Sequence, residues 1–129
     1  MNSGDLSGIR ILVVEDDYYL ATDAEKTLTS AGADVLGPCG NEESGLAIVA
    51  EEEIDCAVLD VNLGPGPSFR IAHVMRERGI PFLFVTGYDR EAIPREFADI
   101  ERLEKPYVGQ HLLTAVGRLV SEKRSRPKR

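Results

Sequence analysis

The groups best equipped for chemistry in this 129-residue chain come in four places: Glu15-Asp16-Asp17, Asp60, Thr86 and Lys105. If Glu15, Asp16 and Asp60 converge, their charges repel, and at least one carboxyl rises in pKa unless a cation joins them. Mg²⁺, a hard ion that takes oxygen ligands, suits such a group. It would leave one carboxylate oxygen of Asp60 free to attack an electrophile, and carboxylates do form covalent aspartyl-phosphates. Lys105 would then neutralise one phosphoryl oxygen while Thr86 hydrogen-bonds another. Taken by itself, Asp60 reads equally well as a helix cap or a turn residue at a strand end. Its scaffold tips the balance.

Three of these four places follow an apolar run. Ile9 to Val14 precedes Glu15, Cys56 to Leu59 precedes Asp60, and Ile80 to Val85 precedes Thr86. Such near-continuous apolar runs mark parallel strands buried on both faces, whose carboxyl ends open onto the ligand-binding edge of a sheet. Asp34 to Pro38 and Ile100 to Leu103 are two shorter strands. Between the strands the period becomes helical: Leu20, Ala24, Leu28 and Ala31 stopped by Gly32; Leu46, Ala47, Val49 and Ala50 after the cap Asn41; Ile71, Ala72 and Met75 closed by Gly79. A last helix from about Val108 to Ser121 buries Leu112, Leu113, Val116, Leu119 and Val120. After Gly87 the pattern weakens. Pro94 breaks the helix that Asp89 would cap, leaving a fourth helix that is short or irregular. The alternation predicts an α/β fold, a five-stranded parallel doubly wound sheet with right-handed crossovers.

Composition sets the outer limits. With 43% hydrophobic and 29% charged residues, the chain reads as one soluble domain with a sizeable core. The boundaries expected are a flexible N-terminus over 1–8, the domain over 9–121 and a flexible basic tail over 122–129. That tail carries a net of +4 and leaves −11 of the total −7 on the rest, which repels nucleic acid. No apolar run is long enough to cross a membrane, no signal peptide opens the chain, and Cys39 and Cys56 suit a reducing compartment. A cytoplasmic protein without nucleic-acid or membrane partners is expected.

The order Glu15-Asp16, Asp60, Thr86 and Lys105-Pro106 resembles the receiver domain of two-component response regulators, from Ile9 to about Ser121. The resemblance implies the flavodoxin-like receiver fold and phosphoryl transfer to Asp60 from a sensor histidine kinase or a histidine phosphotransfer protein. It also implies Mg²⁺ bound directly by Asp16, through water by Glu15, and by Asp60 and the backbone carbonyl of Asn62. Asp17, one residue past the acidic pair, is left to cap a helix. Pro106 resembles the family's cis-proline, which aims the lysine into the site. Two departures stand out. The position of the family's rotating aromatic switch, three before the lysine, is Arg102. Meanwhile Phe84-Val85-Thr86-Gly87-Tyr88 is similar to the Phe-Ala-Thr-Gly signature of a subgroup of single-domain receivers with a degraded fourth helix. Switching is therefore expected in a weakly held segment, Gly87 to Asp99, with Tyr88 shielding the phosphoryl group.

The function expected is a stand-alone, non-enzymatic phosphoacceptor in phosphorelay signalling. It would either dock a downstream protein when phosphorylated or drain phosphoryl groups from a kinase. The alternatives are an aspartate-nucleophile phosphohydrolase and a docking module that never takes phosphate. The first wants an acid two residues after Asp60 and finds Asn62, which cannot donate a proton; the second leaves Asp16, Asp60 and Lys105 unexplained. His73 and His111 read as ordinary helix residues, and Gly64-Pro65-Gly66-Pro67 lacks the spacing of a phosphate cradle.

Overall fold

The computed structural model describes residues 5–63, 66–67, 69–87 and 93–125. Tyr88 and Asp89, Gly64 and Pro65, Met1 to Gly4 and the end of the basic tail from Arg126 lie outside the described residues. The β-branched run after Ile9 forms β1, Arg10–Val14, whose last four residues are buried on both faces. The strands β2 (Asp34–Cys39), β3 (Cys56–Asp60), β4 (Phe82–Thr86) and β5 (Arg102–Glu104) pair with it in the order β2-β1-β3-β4-β5, all parallel. Ile11 lies opposite Cys56, Asp60 opposite Val85, and Thr86 opposite Glu104. This register brings the carboxyl ends of β1, β3 and β4 level with one another, as the doubly wound reading requires.

Alternate strand residues feed two cores. Ile11, Val13, Cys56, Val58, Leu83 and Val85 point to the face covered by α1 (Tyr18–Ser30) and α4 (Gly109–Ser125). Leu12, Val14, Ala57, Leu59, Phe82 and Phe84 point to the face covered by α2 (Glu42–Glu51), α3 (Arg70–Arg78) and a three-residue 3₁₀ turn, Arg95–Phe97. The helix ends carry the expected punctuation. Asp17 accepts hydrogen bonds from Tyr19 N and Leu20 N, Asn41 accepts one from Ser44 N, and Gly79 closes α3 in the left-handed region at φ 70°. Both cysteines are free and buried. None of the helices among the described residues is long and apolar enough to cross a membrane.

Several details depart from the expectations. β2 runs one residue past Pro38 to Cys39, through a cis Gly37–Pro38 bond. Gly37 sits at φ 93°, where a Cβ would fall 2.7 Å from Cys39 N, so only glycine fits. In α2 the inward residues are Gly45 and Val49, while Ala47 and Ala50 are exposed. Ile71 packs so closely that a Cβ on Gly45 would stand 2.7 Å from its Cδ1, which rotates the packed face away from the two alanines. β5 begins at Arg102, not Ile100, because Ile100 closes the 3₁₀ turn through its bond to Phe97 O and packs against the aromatic core. The loop after Asp60 contains an antiparallel pairing of Asn62–Leu63 with Gly66–Pro67 that the sequence did not suggest.

Both ends of the packed chain also reach further than expected. Leu6 is buried in the α1/α4 core and its N–H donates to Ala31 O at 2.7 Å, so the ordered chain starts before Ile9. α4 continues through Ser125, into the residues assigned to the tail.

Candidate functional site

At the carboxyl edge of the sheet the four chemical stretches become neighbours. Asp60 is the last residue of β3 and is 4% exposed. Its Oδ1 accepts from Asn62 N at 3.1 Å, and the pairing of Val61 N with Val85 O at 3.0 Å carries the sheet one residue beyond it. Glu15 follows β1 and is buried, its own N–H donating to Cys39 O. Its Oε2 accepts from Asp17 N at 3.1 Å. Lys105 follows β5, and its N–H donates to Thr86 O at 2.8 Å, which prolongs the β4–β5 ladder past the strand ends. Its Nζ donates to Glu15 Oε2 at 3.1 Å and to Asp60 Oδ2 at 3.2 Å. Asp16 is exposed at the mouth, and carboxylate oxygens of Glu15, Asp16 and Asp60 lie within 4.8 Å of one another.

The electrostatics follow from that crowding. Three carboxyl groups crowd together beside one ammonium, so the acids outnumber the nearby cation. Burial pushes the Glu15 carboxyl up to about 7, helped by its hydrogen bond with Asp60 and by the Asp60 charge, against the pull of Asp17 N–H and Lys105. Burial alone would depress the Lys105 ammonium, but Asp60 and Glu15 together raise it above its ordinary value. Tyr107 was given no role by sequence reasoning, yet it is half-buried two residues past Lys105. Burial first, then the charges of Glu15, Asp23 and Asp60, push its phenol up to about 12, so it stays neutral. Its position relative to Lys105 was the signal that could have found it.

Glu15, Asp16, Asp60 and Lys105 thus come together through their side chains, and Asn62 through its backbone. Thr86 is 5% exposed at the adjoining strand end, tied to Lys105 through its carbonyl. Asp17 stands apart as the cap of α1. Lys105–Pro106 is a cis bond, and Arg102 is exposed on β5. Within the described part of the segment expected to be weakly held, Phe97 is fully buried and Arg76 donates to Glu96 O at 2.7 Å and to Asp99 at 3.2 Å, while Arg95, Glu96, Ala98 and Asp99 are exposed.

Residues 11–116 match the family model of the response regulator receiver domain. Two solved structures resemble the chain over nearly their full lengths. SdrG from Sphingomonas melonis Fr1 is 31% identical with a TM-score of 0.78, covering 93% of this chain and 99% of that one. A response regulator receiver protein from Sinorhizobium medicae WSM419 is 28% identical with a TM-score of 0.75, covering 92% and 99%. The sensory transduction protein LytT from Bacillus cereus is 25% identical over 122 residues, 91% of this chain and 49% of LytT, so the chain spans about half the length of that relative. With its five-stranded parallel sheet and its match over most of its length, the chain belongs to the response regulator receiver domain family.

Proposed function

We propose that Asp60 is the phosphoacceptor, taking a phosphoryl group from the phosphohistidine of a sensor histidine kinase or a histidine phosphotransfer protein. Receiver domains of response regulators are phosphorylated by histidine kinases and are in general signalling modules. The observation that carries the reading is the cluster itself: three carboxylates within 4.8 Å, two of them sharing Lys105 Nζ. An oxygen-only donor set with excess negative charge fits Mg²⁺, and Glu15, Asp16, Asp60 and the Asn62 carbonyl would hold it. When bound, the ion would quench the repulsion among the acids and withdraw charge from the phosphoryl oxygens.

The chain's own residues do the rest. One Asp60 oxygen attacks phosphorus, the P–N bond breaks, and the imidazole leaves with the electron pair and takes up a proton. Asp60 enters this step already oriented, since Asn62 N holds Oδ1 and Lys105 holds Oδ2. As the carboxylate becomes an acyl phosphate, the Lys105 ammonium follows the charge onto a phosphoryl oxygen, and the Thr86 hydroxyl donates to another. Because Asp60 is buried, the donor must come in over the rim. Asn62 offers no general acid, which disfavours turnover on phosphate esters.

Incubation with acetyl phosphate and Mg²⁺, followed by intact mass, tests the reading. The wild-type protein should gain one phosphoryl group and Asp60→Asn none. Asp16→Ala should raise the Mg²⁺ requirement far more than Asp17→Ala, whose carboxylate is occupied by the α1 N-terminus. Normal incorporation into Asp60→Asn would show that the acceptor lies elsewhere.

A further inference from the structure

Glu42 belongs to the first turn of α2, but its carboxylate serves another helix. α3 begins at Arg70, after the stretch 61–69 that follows Asp60. A helix start leaves its first N–H groups without intrahelical partners, and Phe69, at the cap position of α3, makes no side-chain cap bond. Glu42 supplies one from 28 residues away: its Oε2 accepts from Arg70 N at 3.0 Å, with Oε1 3.7 Å from the Arg70 guanidinium. The Glu42 side chain is 15% exposed and that of Arg70 69% exposed, so the ion pair is largely in water and contributes little, and the shorter contact is the bond to the Arg70 backbone. A carboxylate in the first turn of α2 also meets that helix's own positive end. One side chain therefore ties two helix starts together.

The loop between Asp60 and α3 is then fixed at both ends. At the near end Val61 N pairs with Val85 O and Asn62 N with Asp60 Oδ1; at the far end Arg70 N pairs with Glu42. In between, Asn62–Leu63 pair with Gly66–Pro67. Among the described residues, Asn62 is thus held by Asp60 on one side and by Pro67 across the pairing on the other.

We propose that Glu42 is a positioning residue for the phosphoacceptor loop, holding the start of α3 so that the Asn62 backbone stays beside Asp60 and the acidic cluster takes Mg²⁺ at low concentration. This rests on the phosphoacceptor reading of Asp60. A merely structural Glu42 would stabilise α3 and nothing more, and Asn41→Ala separates the two roles. Asn41 caps α2 through Ser44 N at 2.8 Å, one residue away from Glu42, whereas Glu42 reaches the end of the loop through Arg70 N.

Amide hydrogen exchange on the metal-free protein and the Mg²⁺ dependence of phosphoryl incorporation from acetyl phosphate should be measured on Glu42→Ala, Glu42→Gln and Asn41→Ala. In Glu42→Ala the amides of Asn62, Leu63 and Arg70 should exchange about tenfold faster, and half-saturation by Mg²⁺ should rise by about tenfold. Glu42→Gln keeps an acceptor oxygen and should stay within about twofold of wild type on both readouts. Asn41→Ala should lower the unfolding midpoint while leaving the loop amides and the Mg²⁺ requirement at wild-type values. Equal effects of Glu42→Ala and Asn41→Ala, or unchanged exchange at Asn62 and Leu63 in Glu42→Ala, would overturn the proposal. If wild type takes no phosphoryl group at all, the phosphoacceptor reading fails, and the exchange data still decide whether Glu42 holds the loop.

Discussion

The two faces of the sheet are closed by different means. On one, α1 and α4 lay aliphatic residues such as Ala24, Leu28, Leu112 and Val116 over the strands. On the other, α2 and α3 are joined by a three-residue turn whose Phe97 fills the gap. That ring is edge-on to Phe82 and Phe84 at 6.0 and 5.7 Å and stacked on Phe69 at 6.1 Å, with the Arg76 guanidinium 5.1 Å above it. On the three-residue turn, one large side chain buries the area that several aliphatic ones would. The difference has a topological consequence. Phe69 ends the loop that leaves Asp60, and Phe97 follows the segment that leaves Thr86, so the two excursions from the active edge meet again in one ring pair.

Truncating Phe97 should test this most severely. Phe97→Ala removes a fully buried ring at a cost of about 3–5 kcal/mol. Leu112→Ala on the opposite face should cost about 2–5 kcal/mol, similar in urea unfolding. The distinction lies in hydrogen exchange. Only Phe97→Ala should open residues 93–100 and the start of α3 well below the global unfolding free energy, because that ring joins the turn to Phe69 at the start of α3. Matching local exchange in the two variants would erase the contrast between the faces.

The site above the sheet has its own pH signature, intermediate in size. The Glu15 carboxyl is raised from 4.5 to about 7 by burial and by Asp60, so the folded metal-free protein binds its proton more tightly than the unfolded chain. Stability from this group is therefore full below pH 4.5 and is lost as pH rises through 7. Glu15→Gln carries no such charge, and its stability relative to wild type should climb by about 1–3 kcal/mol between pH 4.5 and pH 8. Urea unfolding without Mg²⁺ at both values would read the slope, and a difference that does not change with pH would mean Lys105 already neutralises Glu15. Excess Mg²⁺ should restore the wild type at pH 8.

Much of this arrangement was legible in the sequence, for a definite reason. Strands buried on both faces leave unbroken apolar runs, so β1, β3 and β4 announced themselves, and the residue after each run had to stand on the active edge. That fixed Glu15, Asp60 and Thr86 together. Contacts between distant small or irregular pieces left no such trace. Gly45 carries no apolar signal, yet its lack of a Cβ is what lets Ile71 approach, while Ala47 and Ala50 look buried and are not. Glu42 looks like an ordinary first-turn acid because its partner is the backbone of Arg70. Phe97 sits after Pro94 in a stretch with no periodicity, and Ile100 looked like the start of a strand until the turn claimed it. Local pattern reports the period of an element, not the partner it finds.

The smallest expected effect compares two arginines that grip the same stretch of chain from opposite faces. Arg76 of α3 donates to Glu96 O and Asp99 and lies over the Phe97 ring; Arg118 of α4 pairs, among the described residues, with the Glu101 carboxylate. Both side chains are substantially exposed, at 41% and 60%, so their ion pairs alone should contribute little. The difference is in what lies beneath. Arg118→Ala removes an exposed pair and should cost little, and less still in high salt. Arg76→Ala also strips a carbonyl of its donor and uncovers an aromatic face, for about 1–2 kcal/mol with little salt dependence. Urea unfolding of both variants in low and high salt separates the terms. If the two losses match and both vanish in salt, Arg76 is only a surface charge, and the packing of Phe97 against α3 holds the turn unaided.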